Sequence, residues 1–134
     1  MTLLLDLVET SQRIGSTSSR RAKTAEIAEL LRRLDADEID IGVAFLAGYT
    51  RQGRTGIGYS LIDSARATPA AQPALELRAV DNALADIAQT SGRGSVGERT
   101  RKLSSLFAAA TEQEQSFLVR LLMGELRQGA LEGL

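Results

Sequence analysis

Apolar residues recur at helical spacing along most of the chain, and nowhere do they alternate with polar ones over a useful strand length. Residues 3–14, LLLDLVETSQRI, set Leu3, Leu4, Leu7 and Ile14 on one stripe and predict a first helix. GSTSS interrupts it, and Ser18 or Ser19 is placed to cap a second helix over RRAKTAEIAELLRRL, with Ala22, Ile27, Leu30, Leu31 and Leu34 inward. A third helix is predicted from Asp35 or Asp37 to Gly48, anchored by Ile41, Ala44, Phe45 and Leu46. GYTRQGRTGIG holds four glycines in eleven residues and reads as a series of turns, after which YSLIDSARA restarts a short helix. ATPAAQP carries both prolines and reads as the central connector. LELRAVDNALADIAQ comes next as a fifth helix, then TSGRGSVG as a second glycine-rich break, and ERTRKLSSLFAAA as a sixth helix with Leu103, Leu106 and Phe107 inward. Thr111 and Glu114 have capping-box spacing at the start of EQEQSFLVRLLMG. The prediction is an all-α fold.

Apolar residues make up 43% of the chain and aromatics only 4%, so the core is built from leucine, alanine and isoleucine. At 134 residues there is room for one compact domain or two interdependent halves. Cysteine and histidine are both absent, which excludes disulfides, a thiol nucleophile, ordinary zinc sites and histidine acid–base chemistry. No HExxH, Walker-type glycine–lysine loop or EF-hand spacing is present. MTLLLDLVET is broken by Asp6 and Glu9 and has no basic lead, so it is not a signal peptide, and a cytoplasmic location with no membrane association is expected. The formal charge of −1 argues against binding nucleic acid by bulk electrostatics, but not against a few arginines gathered on one face.

LAGYTRQG at residues 46–53 returns as LMGELRQG at 122–129, an offset of 76. The same offset pairs Ser19 with Ser95, Lys23 with Arg99, Ile27 with Leu103, Leu30 with Leu106, Leu31 with Phe107, Glu38 with Glu114 and Ile41 with Phe117. An internal repeat of helix pairs, 19–53 and 95–129, with pseudo-twofold arrangement is therefore expected. A helix pair cannot bury its apolar side alone, so two copies packed together are physically sensible.

Gly48 and Gly124 suit helix ends in a left-handed backbone conformation, and Gly53 and Gly129 allow a second bend with a new helix opening directly after it. Unpaired amide groups there favour an anion, and Arg51 and Arg127 supply planar cationic forks beside it. Gln52 and Gln128 would lie at the rim. A plainer reading is that L-x-G-x-x-R-Q-G is only a helix C-cap whose arginine serves the last carbonyls. Arg54, Gly56 and Gly58 lengthen the first turn, while Arg93, Arg99, Arg101 and Lys102 crowd the second break against one acid, Glu98.

Several segments resemble the N-terminal DNA-binding domain of ATP-dependent DNA ligases: STSSRRAK at 16–23, GRTGIGYSLI at 53–62, SVGERTRKLSSLF at 95–107 and FLVRLLMGELRQGALEG at 117–133. That resemblance implies a non-catalytic helical module lying on the minor-groove side of nicked double-stranded DNA and holding its backbone, with roles in replication, repair and recombination. Contacts to phosphates position a protein without reading bases. It further implies backbone contacts from Gly124, Arg127, Gly129 and Ala130, a related site at Arg51, Gly53, Gly56 and Gly58, and a patch at Thr17, Ser19, Arg20 and Lys23. Ser19 is equally a helix cap. ATP and Mg²⁺ would belong to a separate nucleotidyltransferase domain of the same parent chain, none being expected in this segment. That domain's lysine motif, Lys-x-Asp-Gly, is absent, since Lys23 and Lys102 are the only lysines. A monomeric piece of a longer ligase, cut short beyond Leu134, is the expectation. The rival is a helical-repeat module whose arginines meet a protein partner. Binding of nicked duplex, and the residues C-terminal to Leu134 in a parent chain, would tell the two apart.

Overall fold

A computed structural model describes residues 1–126, and among them the protein is all-α. Its helices are α1 (Leu4–Gly15), α2 (Arg20–Arg33), α3 (Ile39–Ala47), α4 (Tyr59–Ser64), α5 (Leu77–Gln89), α6 (Ser95–Ala108) and α7 (Glu112–Leu122). A 3₁₀ turn, Ala36–Glu38, leads into α3. Each helix contributes to one buried apolar cluster, in which Leu4, Leu7, Leu30, Phe45, Leu77, Leu84, Ile87, Leu103 and Leu118 are fully enclosed. Helix α1 packs on α2, α3 and α7, while α5 and α4 both rest on α6. The two phenylalanines Phe45 and Phe117 meet with ring centres 6.5 Å apart and planes tilted by 58°. Tilted rings at this spacing contribute beyond their buried area.

Local signals set several helix ends. Ser19 caps α2 by accepting from the Ala22 amide at 3.1 Å. Thr111 and Glu114 form the reciprocal box that opens α7. Asp35 and Glu38 form a second box ahead of α3, 76 positions earlier. Glu38 and Glu114 are both fully buried, so they are capping groups within the core. Burial pushes the Glu38 carboxyl up, but donation from the Asp35 and Thr2 amides and the Thr2 hydroxyl outweighs it and holds it below 4.5.

The two helix pairs, α2–α3 and α6–α7, thus share a 14-residue first helix, a capping box, a buried glutamate and a left-handed glycine at the end. These are matches of local structure, and they do not establish a twofold axis between the pairs. Two boundaries depart from expectation. Helix α6 begins at Ser95, taking in the Ser-Val-Gly assigned to the break, because Gly94 at φ +78° makes the turn just before it. After Gly53 no helix opens directly. Gly53 and Gly56 are both left-handed, which prevents a helical run, and α4 waits until Tyr59.

The proline-bearing connector is fastened down. Ala70 donates to the Ala110 carbonyl, the Gln115 amide reaches the Ala67 carbonyl, and the first residues bond to the end of the connector through Leu4–Leu75 and Leu77–Thr2. No helix among the described residues is long and apolar enough to cross a membrane.

Candidate nucleic-acid interface

The ends of α3 and α7 converge. Gly48, at φ +88°, and Gly124, at φ +74°, line one cleft of about 280 Å³ together with Thr50, Gly53, Arg54 and Leu122. A second cleft follows the chain from Gly53 to Gly58, again against Leu122. A third continues from Gly56 and Gly58 to Val96, Arg99 and Thr100 on α6. Because neighbouring clefts share residues, the glycine loop 48–58 runs as a ridge from the Gly124 turn to the start of α6.

Side chains fasten that loop at two points. Arg51 directs Nε and Nη2 onto the carboxylate of Asp81 on α5, with Nε–Oδ1 at 3.1 Å. Gln52 Nε2 adds bonds to Asp81 Oδ1 at 3.0 Å and to the Asp81 carbonyl at 3.2 Å. The Asp81 side chain is 5% exposed and that of Arg51 43% exposed. Burial pushes the Asp81 carboxyl up, but the bonds from Arg51 and Gln52 and the arginine's charge bring it net below 3.8. The reciprocal bond raises Arg51 further above its ordinary value. At the far side, Arg99 Nη2 donates to the Thr55 carbonyl at 2.7 Å, close beside Gly56.

Between these fastenings the loop is open. Arg54 is exposed and has no partner among the described residues. The backbone amides of Arg54, Thr55, Gly56 and Gly58 likewise meet no acceptor among the described residues. Unpaired amides beside an unpaired guanidinium are the arrangement that takes an oxyanion such as a phosphate.

The sequence-selected residues therefore separate. Gly53, Arg54, Gly56, Gly58 and Gly124 come together on the ridge. Arg51 departs from the outward fork expected of it, because Asp81 holds one edge of its guanidinium. Arg101 pairs with Glu98 one turn away, an exposed contact of small energetic consequence. Lys102 is held by Asp86 and Thr90, both at 3.0 Å. Arg93 is exposed beside the left-handed Gly92 and Gly94, and no partner is found for it among the described residues. Ser19 acts as the α2 cap, and the Thr17 hydroxyl accepts from the Ser19 amide at 3.2 Å. Arg20, exposed, and Lys23, half-buried, are unpaired among the described residues. Arg127, Gln128, Gly129 and Ala130 lie outside the described residues.

Sequence reasoning missed Asp81 and treated Arg99 as one of several charges. Asp81 had a signal: it interrupts the inward stripe Leu77, Val80, Leu84 and Ile87 of an otherwise regular amphipathic helix. An acid on that face has to find a cation.

The sequence profile of the family described as "DNA ligase N terminus" matches residues 59–134. The chain belongs to that family. Its relatives include a probable DNA ligase of Mycobacterium marinum, 49% identical over 134 residues, which covers 98% of this chain and 26% of the relative. Those of Saccharopolyspora erythraea and Nocardia farcinica are each 47% identical, covering 99% and 98% of this chain but 26% and 25% of their own length. The chain thus spans about a quarter of the curated DNA ligases it matches. Within this DNA ligase N-terminus segment, no group of three or more Asp, Glu, His or Cys side chains that could hold a metal ion occurs among the described residues.

Proposed function

We propose that this segment is the DNA-gripping module of an ATP-dependent DNA ligase. It holds the sugar–phosphate backbone of nicked duplex from the minor-groove side while another domain of the same parent chain, using ATP and Mg²⁺, seals the strand. The observation that carries the reading is the ridge 48–58 beside the Gly124 turn, where four backbone amides and the exposed Arg54, within five residues of one another, have no partner among the described residues. Glycine at φ +68° and +73° lets backbone come close to a ligand where a side chain would stand in the way.

Arg20, Lys23 and Arg93 supply further exposed or half-exposed cations for neighbouring phosphates, and Thr17 and Ser19 add hydroxyls beside them. Gly129, Ala130 and Arg127 would extend the contact beyond the Gly124 turn. None of these groups reads a base edge, so little sequence preference is expected. The segment's contribution to sealing is orientation, which lowers the entropic part of the barrier for chemistry done elsewhere. A monomer is the working unit.

Binding of a nicked duplex across a salt series tests this. Wild type should bind with log K falling steeply against log salt, and Arg54→Ala should lower that slope by about 0.9, one phosphate contact. A slope and affinity unchanged by Arg54→Ala would refute the assignment.

A further inference from the structure

The glycine loop is poorly secured by its own backbone. Within 50–58 its internal ties among the described residues are the Gly53 amide to the Thr50 carbonyl, the Thr50 hydroxyl to the Gly53 carbonyl, and the Ile57 amide to the Thr55 hydroxyl. Its ends join α3 and α4 through backbone bonds and Ile57 is buried in the core, while between them side chains fasten it to α5 and α6: Arg51 and Gln52 on Asp81, and Arg99 on the Thr55 carbonyl. Arg54 and the unpaired amides stand between them.

Asp81 occupies the buried stripe of α5, where an apolar residue would pack without the cost of desolvating a charge. A buried acid at that position has one set of partners here, the Arg-Gln pair of the first L-x-G-x-x-R-Q-G copy. Were Arg51 to turn the same guanidinium edge to a phosphate, it would leave Asp81 buried and uncompensated, which is strongly unfavourable.

We infer that Asp81 is a positioning residue for phosphate binding: through Arg51 and Gln52 it holds the glycine loop in the shape that presents Arg54 and the loop amides. Arg51 in this copy is a tether and not a phosphate ligand. The inference rests on the DNA-gripping reading above.

The test compares Asp81→Asn, Arg51→Ala, the double variant and Arg54→Ala in the 134-residue chain, measuring nicked-duplex affinity across salt, urea unfolding, and amide hydrogen exchange. Asp81→Asn and Arg51→Ala should each bind about tenfold more weakly, as for loss of one charge-assisted bond, with the wild-type salt slope. The double variant should bind no more weakly than either single one. Exchange should quicken at the hydrogen-bonded amides of Gly53 and Ile57 in both single variants and stay unchanged in Arg54→Ala. A salt slope lowered by about 0.9 in Arg51→Ala would make Arg51 a phosphate ligand and overturn the inference. Wild-type affinity in Asp81→Asn and Arg51→Ala overturns it too. If Asp81→Asn does not fold, Arg51→Ala, at a half-exposed side chain, decides the matter alone. Failure of the DNA reading shows separately, as an Arg54→Ala variant indistinguishable from wild type.

Discussion

Gly56→Ala is expected to be among the most damaging glycine substitutions in the loop, whereas Gly58→Ala, two residues on, should be nearly silent. At Gly56 the backbone sits at φ +73°, and a Cβ would lie 2.5 Å from Arg99 Nη2 and 3.2 Å from its Cζ. The left-handed conformation alone costs an alanine about 1–2 kcal/mol. The guanidinium must also move, and it is the group bonded to the Thr55 carbonyl at 2.7 Å. Losing that charge-assisted bond adds about 1–2 kcal/mol, toward the low end because a half-buried arginine regains water. The sum is about 2–4 kcal/mol, to be read from urea unfolding. At Gly58 the backbone is extended, φ −112°, and nothing lies within 4 Å of an added Cβ, so a change within about 0.5 kcal/mol is expected. In an Arg99→Ala background the cost of Gly56→Ala should fall to its conformational part, about 1–2 kcal/mol. Equal costs at Gly56 and Gly58, or equal costs with and without Arg99, would refute the role of Arg99 as the second fastening.

Three further outcomes are expected. Glu38 receives three hydrogen bonds, from Thr2 N and Oγ1 and from Asp35 N, each at 2.9 Å, whereas Glu114 Oε2 is buried with no partner among the described residues. Glu38→Gln, which turns an acceptor into a donor facing a donor, should therefore cost about 2 kcal/mol, and Glu114→Gln less than about 1 kcal/mol, in parallel urea titrations. Asp81 is held below 3.8 in the folded chain, so its stabilisation is complete above the unfolded value and is lost as pH falls through the folded one. The stability gap between wild type and Asp81→Asn should accordingly be the same at about pH 5 and pH 7 and shrink below about pH 4; a gap that widens in acid would contradict this. Phe45→Ala should cost about 3–5 kcal/mol by denaturant unfolding, since its ring is fully buried against Phe117.

What could be read from the chain was what is local. Helical period placed every helix to within a few residues, Ser19 and the Thr111–Glu114 box fixed two starts, and Gly48 and Gly124 fixed two ends. The offset of 76 also paired Glu38 with Glu114, which turn out to be equivalent buried caps. What could not be read was which charge meets which across distance. Arg51 finds Asp81 thirty residues on, and Arg99 finds Thr55 forty-four residues back. Periodicity carries no information about such pairings beyond the anomaly of an acid on an apolar stripe. For the same reason the bond between Asp81 and Arg51, the guanidinium expected at the phosphate, was not foreseen. Arg54, which in sequence looked like an accessory, has no partner among the described residues.

The most direct measurement is a nicked-duplex titration followed by backbone amide resonances. The expected result is a set of saturating shifts at Arg54, Thr55, Gly56, Gly58 and Gly124 that move together and weaken with salt. Contradiction would be saturable binding that leaves those amides unmoved and shifts instead the exposed apolar face of α3 at Ile39 and Val43.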